Sequence, residues 1–120
     1  MDVSWVKEFK PANYNFVLKH ARKETAKVRR ILNGFGKVDV LLCHQPPYGV
    51  LDKVHFASAP KNWFGKHAGS KAILDYIKRK QPSYVFCGHI HEEEGKKNIG
   101  KTRVFNLGTA EYKIIEINSA

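Results

Sequence analysis

Tyr14, Leu18, Ala21, Thr25, Val28 and Leu32 recur at alternating spacings of four and three, while Arg22, Lys23, Lys27, Arg29 and Arg30 fall elsewhere. That period predicts an amphipathic helix from about Tyr14 to Leu32, with Asn33-Gly34 as its stop. The run Val38-Asp39-Val40-Leu41-Leu42-Cys43 is apolar on both faces except at Asp39, which predicts an interior strand covered on both sides. From Tyr48 to Gly69 no period is visible, and Gly49, Pro60, Asn62, Gly65 and Gly69 mark a long loop of the kind that tends to carry function. Ser70 can cap a helix running through Ala72, Ile73, Tyr76 and Ile77, with Lys78-Arg79-Lys80 at its negative end and Pro82 beyond it. Ser83 to Cys87 then reads as a strand. Lys101 to Leu107 and Glu111 to Ile117 read as two more, separated by Gly108-Thr109-Ala110 in a hairpin or tight corner.

Strand, helix, strand is a β-α-β unit, and open α/β sheets place their ligands at the carboxyl ends of such strands. Both strand ends here carry histidine. The run Tyr84-Val85-Phe86-Cys87 leads into Gly88-His89-Ile90-His91, where residues two apart on an extended backbone point to the same side. The first strand leads into His44-Gln45-Pro46-Pro47-Tyr48-Gly49, and the two prolines stiffen the backbone just after His44. His44, His89 and His91 are therefore candidate metal ligands on loops expected to be neighbours. The competing reading makes them satisfied turn histidines.

Composition limits the alternatives. A chain of 120 residues, 42% hydrophobic and 27% charged, matches one globular domain or part of one. It has no apolar stretch long enough to cross a bilayer and no signal-peptide organisation at Met1 to Glu8, so a cytoplasmic location is expected. Cys43 and Cys87 sit at equivalent strand ends and admit three readings: buried small hydrophobes, which a reducing compartment favours, a disulfide, or thiolate ligands. The net charge of +10, from 21 basic and 11 acidic residues, attracts phosphate-bearing ligands. The basic residues fall mostly on predicted helix surfaces without interleaved aromatics, so nucleic acid is a less favoured partner. Glu92-Glu93-Glu94 reads as a solvated turn, with a second role as support for a metal site.

Taken together, His44 after a buried strand and then Gly88-His89-Ile90-His91 resemble the later motifs of the calcineurin-like metallophosphoesterase superfamily. Asn106-Leu107-Gly108-Thr109 looks like that family's closing Asn-x-Gly-Ser/Thr turn. The resemblance runs from about Val38 to Ile117, roughly two thirds of the chain. It implies an α/β fold, part of a β-sandwich flanked by helices, with about four to five strands and two helices. It also implies two divalent metal ions (manganese, iron, zinc or nickel), with His44 and His89 on one and His91 on the other, and a phosphoester substrate. His55, His67 and Asn106 are the candidate substrate-binding residues.

The family's earlier motifs, Asp-x-His, Gly-Asp and Gly-Asn-His-Asp/Glu, do not occur in the sequence. The resemblance therefore makes residues 1–120 the carboxyl-terminal half of such a domain, with no catalytic residue identified. Three imidazoles divided between two cations leave each with one or two protein ligands, where even a catalytic zinc normally keeps three. The expectation is a chain with partial or no metal occupancy, inactive alone, that self-associates or joins an amino-terminal half. A non-catalytic partner-binding remnant and a basic nucleic-acid-binding module are the alternatives, because fold similarity does not decide function.

Overall fold

The computed structural model describes residues 3–55, 61–88, 90 and 93–108. Its elements are α1 (Val3–Phe9), α2 (Tyr14–Phe35), β1 (Val40–Leu42), a 3-10 turn (Lys61–Trp63), α3 (Lys71–Lys80), β2 (Tyr84–Cys87), β3 (Gly95–Ile99) and β4 (Thr102–Asn106). The α/β class is as expected. The strands form one mixed sheet in the order β1-β2-β4-β3, with β1, β2 and β4 parallel and β3 antiparallel to β4.

Both longer helices lie on one face of the sheet because their apolar stripes meet its inward positions. Leu41, Val85 and Val104 are aligned across β1, β2 and β4, and they pack with Leu32 of α2 and Ala72, Ile73, Tyr76 and Ile77 of α3. Polar contacts fix the helix pair: Arg29 meets Asp75 at 2.8 Å, Arg79 donates to Asn33 at 2.9 Å, and the buried Tyr76 hydroxyl donates to the Gly36 carbonyl at 2.6 Å. Two of the basic residues on these helices, Arg29 and Arg79, thus have structural work. Ser70 caps α3 as its sequence position requires, its hydroxyl accepting the Ile73 N–H at 3.2 Å.

Four features depart from the sequence reading. Helix α2 runs past Asn33-Gly34 and stops at Gly36, whose positive φ of +63° suits glycine and whose N–H donates to the Asn33 carbonyl. A short helix, α1, precedes it; the buried Val6 and Phe9 are too few to show a period in the sequence. Strand β3 has no apolar alternation in Lys96-Lys97-Asn98 to mark it in the sequence, and it forms a hairpin with β4 through Gly100; the corner expected at Gly108-Thr109-Ala110 runs outside the described residues. The strand expected at 111–117 lies outside the described residues.

The fourth departure is a correction: among the described residues β1 is not interior but stands at the edge of the four-stranded sheet, and Leu42 on its second face is 75% exposed. Its apolar character on both sides reflects a sheet face that the helices do not reach. On that face Leu42, Phe86 and Phe105 are aligned across three strands, and the Phe86 and Phe105 rings stack at 5.4 Å with Tyr84 beside them at 6.3 Å from Phe86. Lys96 is paired with Phe105, and Arg103 with Tyr84, so aromatic and basic residues interleave across the sheet although they do not along the chain.

The loop of residues 48–69 is organised by isolated bridges between Pro47 and Ser70 and between Lys53 and His67. Under it a second apolar cluster joins Phe9, Val54, Ala68 and Ile90, with Trp63 meeting Phe9 edge-on at 5.4 Å. Among the described residues, no helix is long and apolar enough to cross a membrane.

Two expectations follow from this packing. The chain in solution should bind an apolar dye and sediment above its monomer mass, and Leu42→Lys should reduce both while leaving the unfolding midpoint nearly unchanged, because position 42 is 75% exposed. A dye-silent monomer would contradict an adhesive sheet face. Ser70→Ala should lower stability by about 1 kcal/mol in urea unfolding, the usual cost of a lost N-cap.

Candidate functional site

His44 follows β1, and its position comes from strand pairing. Val40, Leu41 and Leu42 are in parallel register with Tyr84, Val85 and Phe86, the Cys43 N–H donates to the Phe86 carbonyl at 3.0 Å, and the Gly88 N–H donates to the His44 carbonyl at 3.1 Å. The two histidine-bearing loops therefore start side by side at the carboxyl ends of β1 and β2, as the β-α-β reading requires. Pro46 and Pro47 are fully buried, and Ser70 closes on them: its N–H donates to the Pro46 carbonyl at 2.9 Å and its carbonyl accepts from Tyr48 at 3.0 Å. His44 is exposed and lines a cavity of about 240 Å³ with Gln45, Ser70, Ile73 and, from α2, Glu24 and Val28.

Asp52 organises the long loop. Its side chain is 1% exposed, one carboxylate oxygen accepts the N–H groups of Gly49 and Gly69, each at 2.9 Å, and the other accepts from Nδ1 of His67 at 2.7 Å. Gly69 must be glycine here, since a Cβ would sit 2.6 Å from the Pro47 carbonyl oxygen and 2.7 Å from that of Pro46. Asp52 was not among the candidate residues read from the sequence. An Asp flanked by glycines at −3 and +17 in an aperiodic loop was the available signal.

Asn106 is 1% exposed, and its amide is taken up by backbone. It donates to the Leu51 carbonyl at 3.0 Å and the Ile90 carbonyl at 2.9 Å, and accepts the Gly108 N–H at 3.0 Å. One buried side chain thereby ties the turn after β4 to the long loop and to the residue between His89 and His91. His55, half-exposed, faces Glu93 at 3.7 Å, and the Glu93 carboxylate also accepts the Lys53 N–H at 3.2 Å. His67 stands on Asp52 and beside the Tyr48 ring, 5.2 Å between centroids. The four candidates among the described residues thus divide: His44 and Asn106 belong to the strand ends, and His55 and His67 to the long loop.

His89 and His91 lie outside the described residues. Among the described residues, no three His, Cys, Asp or Glu side chains come together as a metal-binding group. As a donor set this fits a single imidazole, His44, offered from a stiff strand end. Both cysteines are free, and burial pushes each thiol up to about 12. They are neutral at physiological pH, as buried small hydrophobes would be.

The chain is similar to two UPF0046 proteins of Caenorhabditis elegans. One is 34% identical over 68 residues, 57% of this chain and 20% of the relative; the other is 28% identical over 102 residues, 84% and 34% respectively. The chain thus spans about a fifth to a third of the length of these curated relatives. No solved structure matches it significantly. The family model for metallophosphoesterases of the calcineurin superfamily matches residues 6–119, nearly the whole sequence, and the chain belongs to that family.

Proposed function

We propose that this chain supplies His44, His89 and His91 to the dinuclear metal site of a phosphoesterase whose remaining ligands come from outside these 120 residues. The supporting observation is the hydrogen bond from Gly88 to the His44 carbonyl, because it joins the two loops that carry all three imidazoles. Divalent cations held there would supply Lewis acidity toward the phosphoryl oxygens. Three imidazoles are too few for two cations, and hard divalent ions also need anionic oxygen donors, so the site is completed by carboxylates elsewhere in the protein.

The other residues prepare the substrate side. Asn106 acts on the site by holding the backbone between His89 and His91 against the Leu51 segment. Removing its amide strands a buried N–H and two carbonyls, so its contribution to a substrate comes through loop position. His67 and His55 present imidazoles from the long loop, with His67 the more rigidly held. The cavity shared by His44, Ser70 and Glu24 gives room for the organic part of a phosphoester beside the metal ligands. Residues 1–120 act in this reading as part of a larger catalytic domain.

The test is turnover of a chromogenic phosphodiester with added manganese. The 120-residue chain alone should be no faster than its own His89→Ala variant. Joined to a segment that carries Asp-x-His, Gly-Asp and Gly-Asn-His motifs, it should hydrolyse the substrate. His44→Ala or His89→Ala should then lower kcat/KM by more than about a hundredfold, because loss of a direct ligand exceeds the 10–100-fold effect of an outer partner. Metal-dependent turnover by the chain alone, abolished by these substitutions, would show that it holds a complete site.

A further inference from the structure

A carboxylate as buried as that of Asp52 is costly unless its oxygens are met by donors. Here the Gly49 and Gly69 N–H groups and the His67 ring supply three of them, at 2.9, 2.9 and 2.7 Å. The carboxylate is acceptor only, so Nδ1 of His67 carries a proton and donates it. That bond sets both the tautomer and the orientation of the ring, leaving Nε2, on the far side from Asp52, for a ligand. The side chain of His67 is 28% exposed, enough for an ion to reach it.

A cation shares the same aromatic neighbour. The Tyr48 ring lies 5.2 Å from the His67 ring and carries the Lys71 ammonium 4.8 Å from its centroid. The same short segment links this group to His44: Ser70, three residues beyond His67 and next to Lys71, lines the cavity that His44 lines. His55 differs, because its ring faces Glu93 at 3.7 Å and lacks the short bond that fixes the His67 ring.

We infer that His67 and Lys71, arranged around Tyr48, form an anion-binding corner for the oxygens of the substrate's phosphoryl group, with Asp52 as the positioning residue for His67. The inference rests on the phosphoesterase reading for the identity of the anion. On binding, the His67 ring takes a proton from solvent at Nε2 and donates it in a hydrogen bond to a phosphoryl oxygen, while Asp52 balances the charge on the ring. Lys71 supplies a second charge-assisted donor.

The test needs neither metal nor turnover. In the 120-residue chain, the histidine ring resonances are followed by NMR during titration with inorganic phosphate, against chloride at equal ionic strength. Before addition, the nitrogen shifts of His67 should show a protonated Nδ1. With phosphate, the His67 resonances should move along a saturable curve, while His20, on the exposed side of α2 among Lys19 and Lys23, moves no more than it does in chloride. Lys71→Ala, at an exposed position, should weaken phosphate binding about tenfold, or about 1.4 kcal/mol. Asp52→Asn should abolish the fixed tautomer; because it also touches two backbone contacts, its fold is checked by the β4 amide resonances. Equal, unsaturable shifts at His67 and His20 would reduce the effect to the general attraction of a +10 chain and overturn the corner. That result would leave the phosphoesterase reading standing, and saturable binding here would survive a failure of turnover.

Discussion

The buried carboxylate of Asp52 is the interaction on which the functional end of this chain depends. Its three donors come from Gly49 on one side of the loop and from His67 and Gly69 on the other, so one carboxylate closes a loop of some twenty residues whose regular structure, among the described residues, is a single 3-10 turn. In a low-dielectric setting such bonds are strong, and leaving the carboxylate unmet would cost several kcal/mol, of the order expected for an uncompensated buried charge. The bridges Pro47–Ser70 and Lys53–His67 follow from that closure, as does the packing of Gly69 against the two proline carbonyls. The same closure presses Ser70 against the segment following His44, which makes the start of α3 a wall of the site.

Asn106 performs the complementary task from the carboxyl end of β4. Parallel pairing of β1, β2 and β4 aligns three strand ends, and a strand end by itself leaves the following loop unconstrained. The Asn106 amide supplies the constraint, because its three bonds reach the loop after β2, the long loop and the turn after β4. Asp52 and Asn106 are each buried and fully hydrogen-bonded, and each contacts backbone more than side chain. They set positions for the exposed imidazoles. Metal and phosphate chemistry needs such stiffness, because a ligand displaced by even 1 Å loses much of its effect.

The two faces of the sheet have different physical status. One is covered by α2 and α3, with Val85 and Val104 completely buried. The other presents Leu42, Phe86, Phe105 and Tyr84, apolar surface beyond the reach of both helices. Apolar residues on both sides of β1 are thus accounted for by a face that offers packing surface, although the strand itself stands at an edge.

The elements whose identity rests on a local period were legible in the sequence: α2 from its stripe, α3 from Ser70 to Pro82, and the strand runs ending at Cys43 and Cys87. The family was legible too, because His44, Gly88-His89-Ile90-His91 and Asn106-Leu107-Gly108-Thr109 are short contiguous signatures. The edge position of β1, the polar strand β3 and the short helix α1 were not, because each depends on which neighbours are present rather than on the residues' own spacing. Least legible was the work of Asp52. Its partners lie 3, 15 and 17 residues away, and no periodicity connects them. Local sequence determined the elements and the chemistry they carry, since propensity and patterning act over a few residues. Tertiary structure decided which of the histidines is anchored, because a buried charge selects its donors by proximity in space.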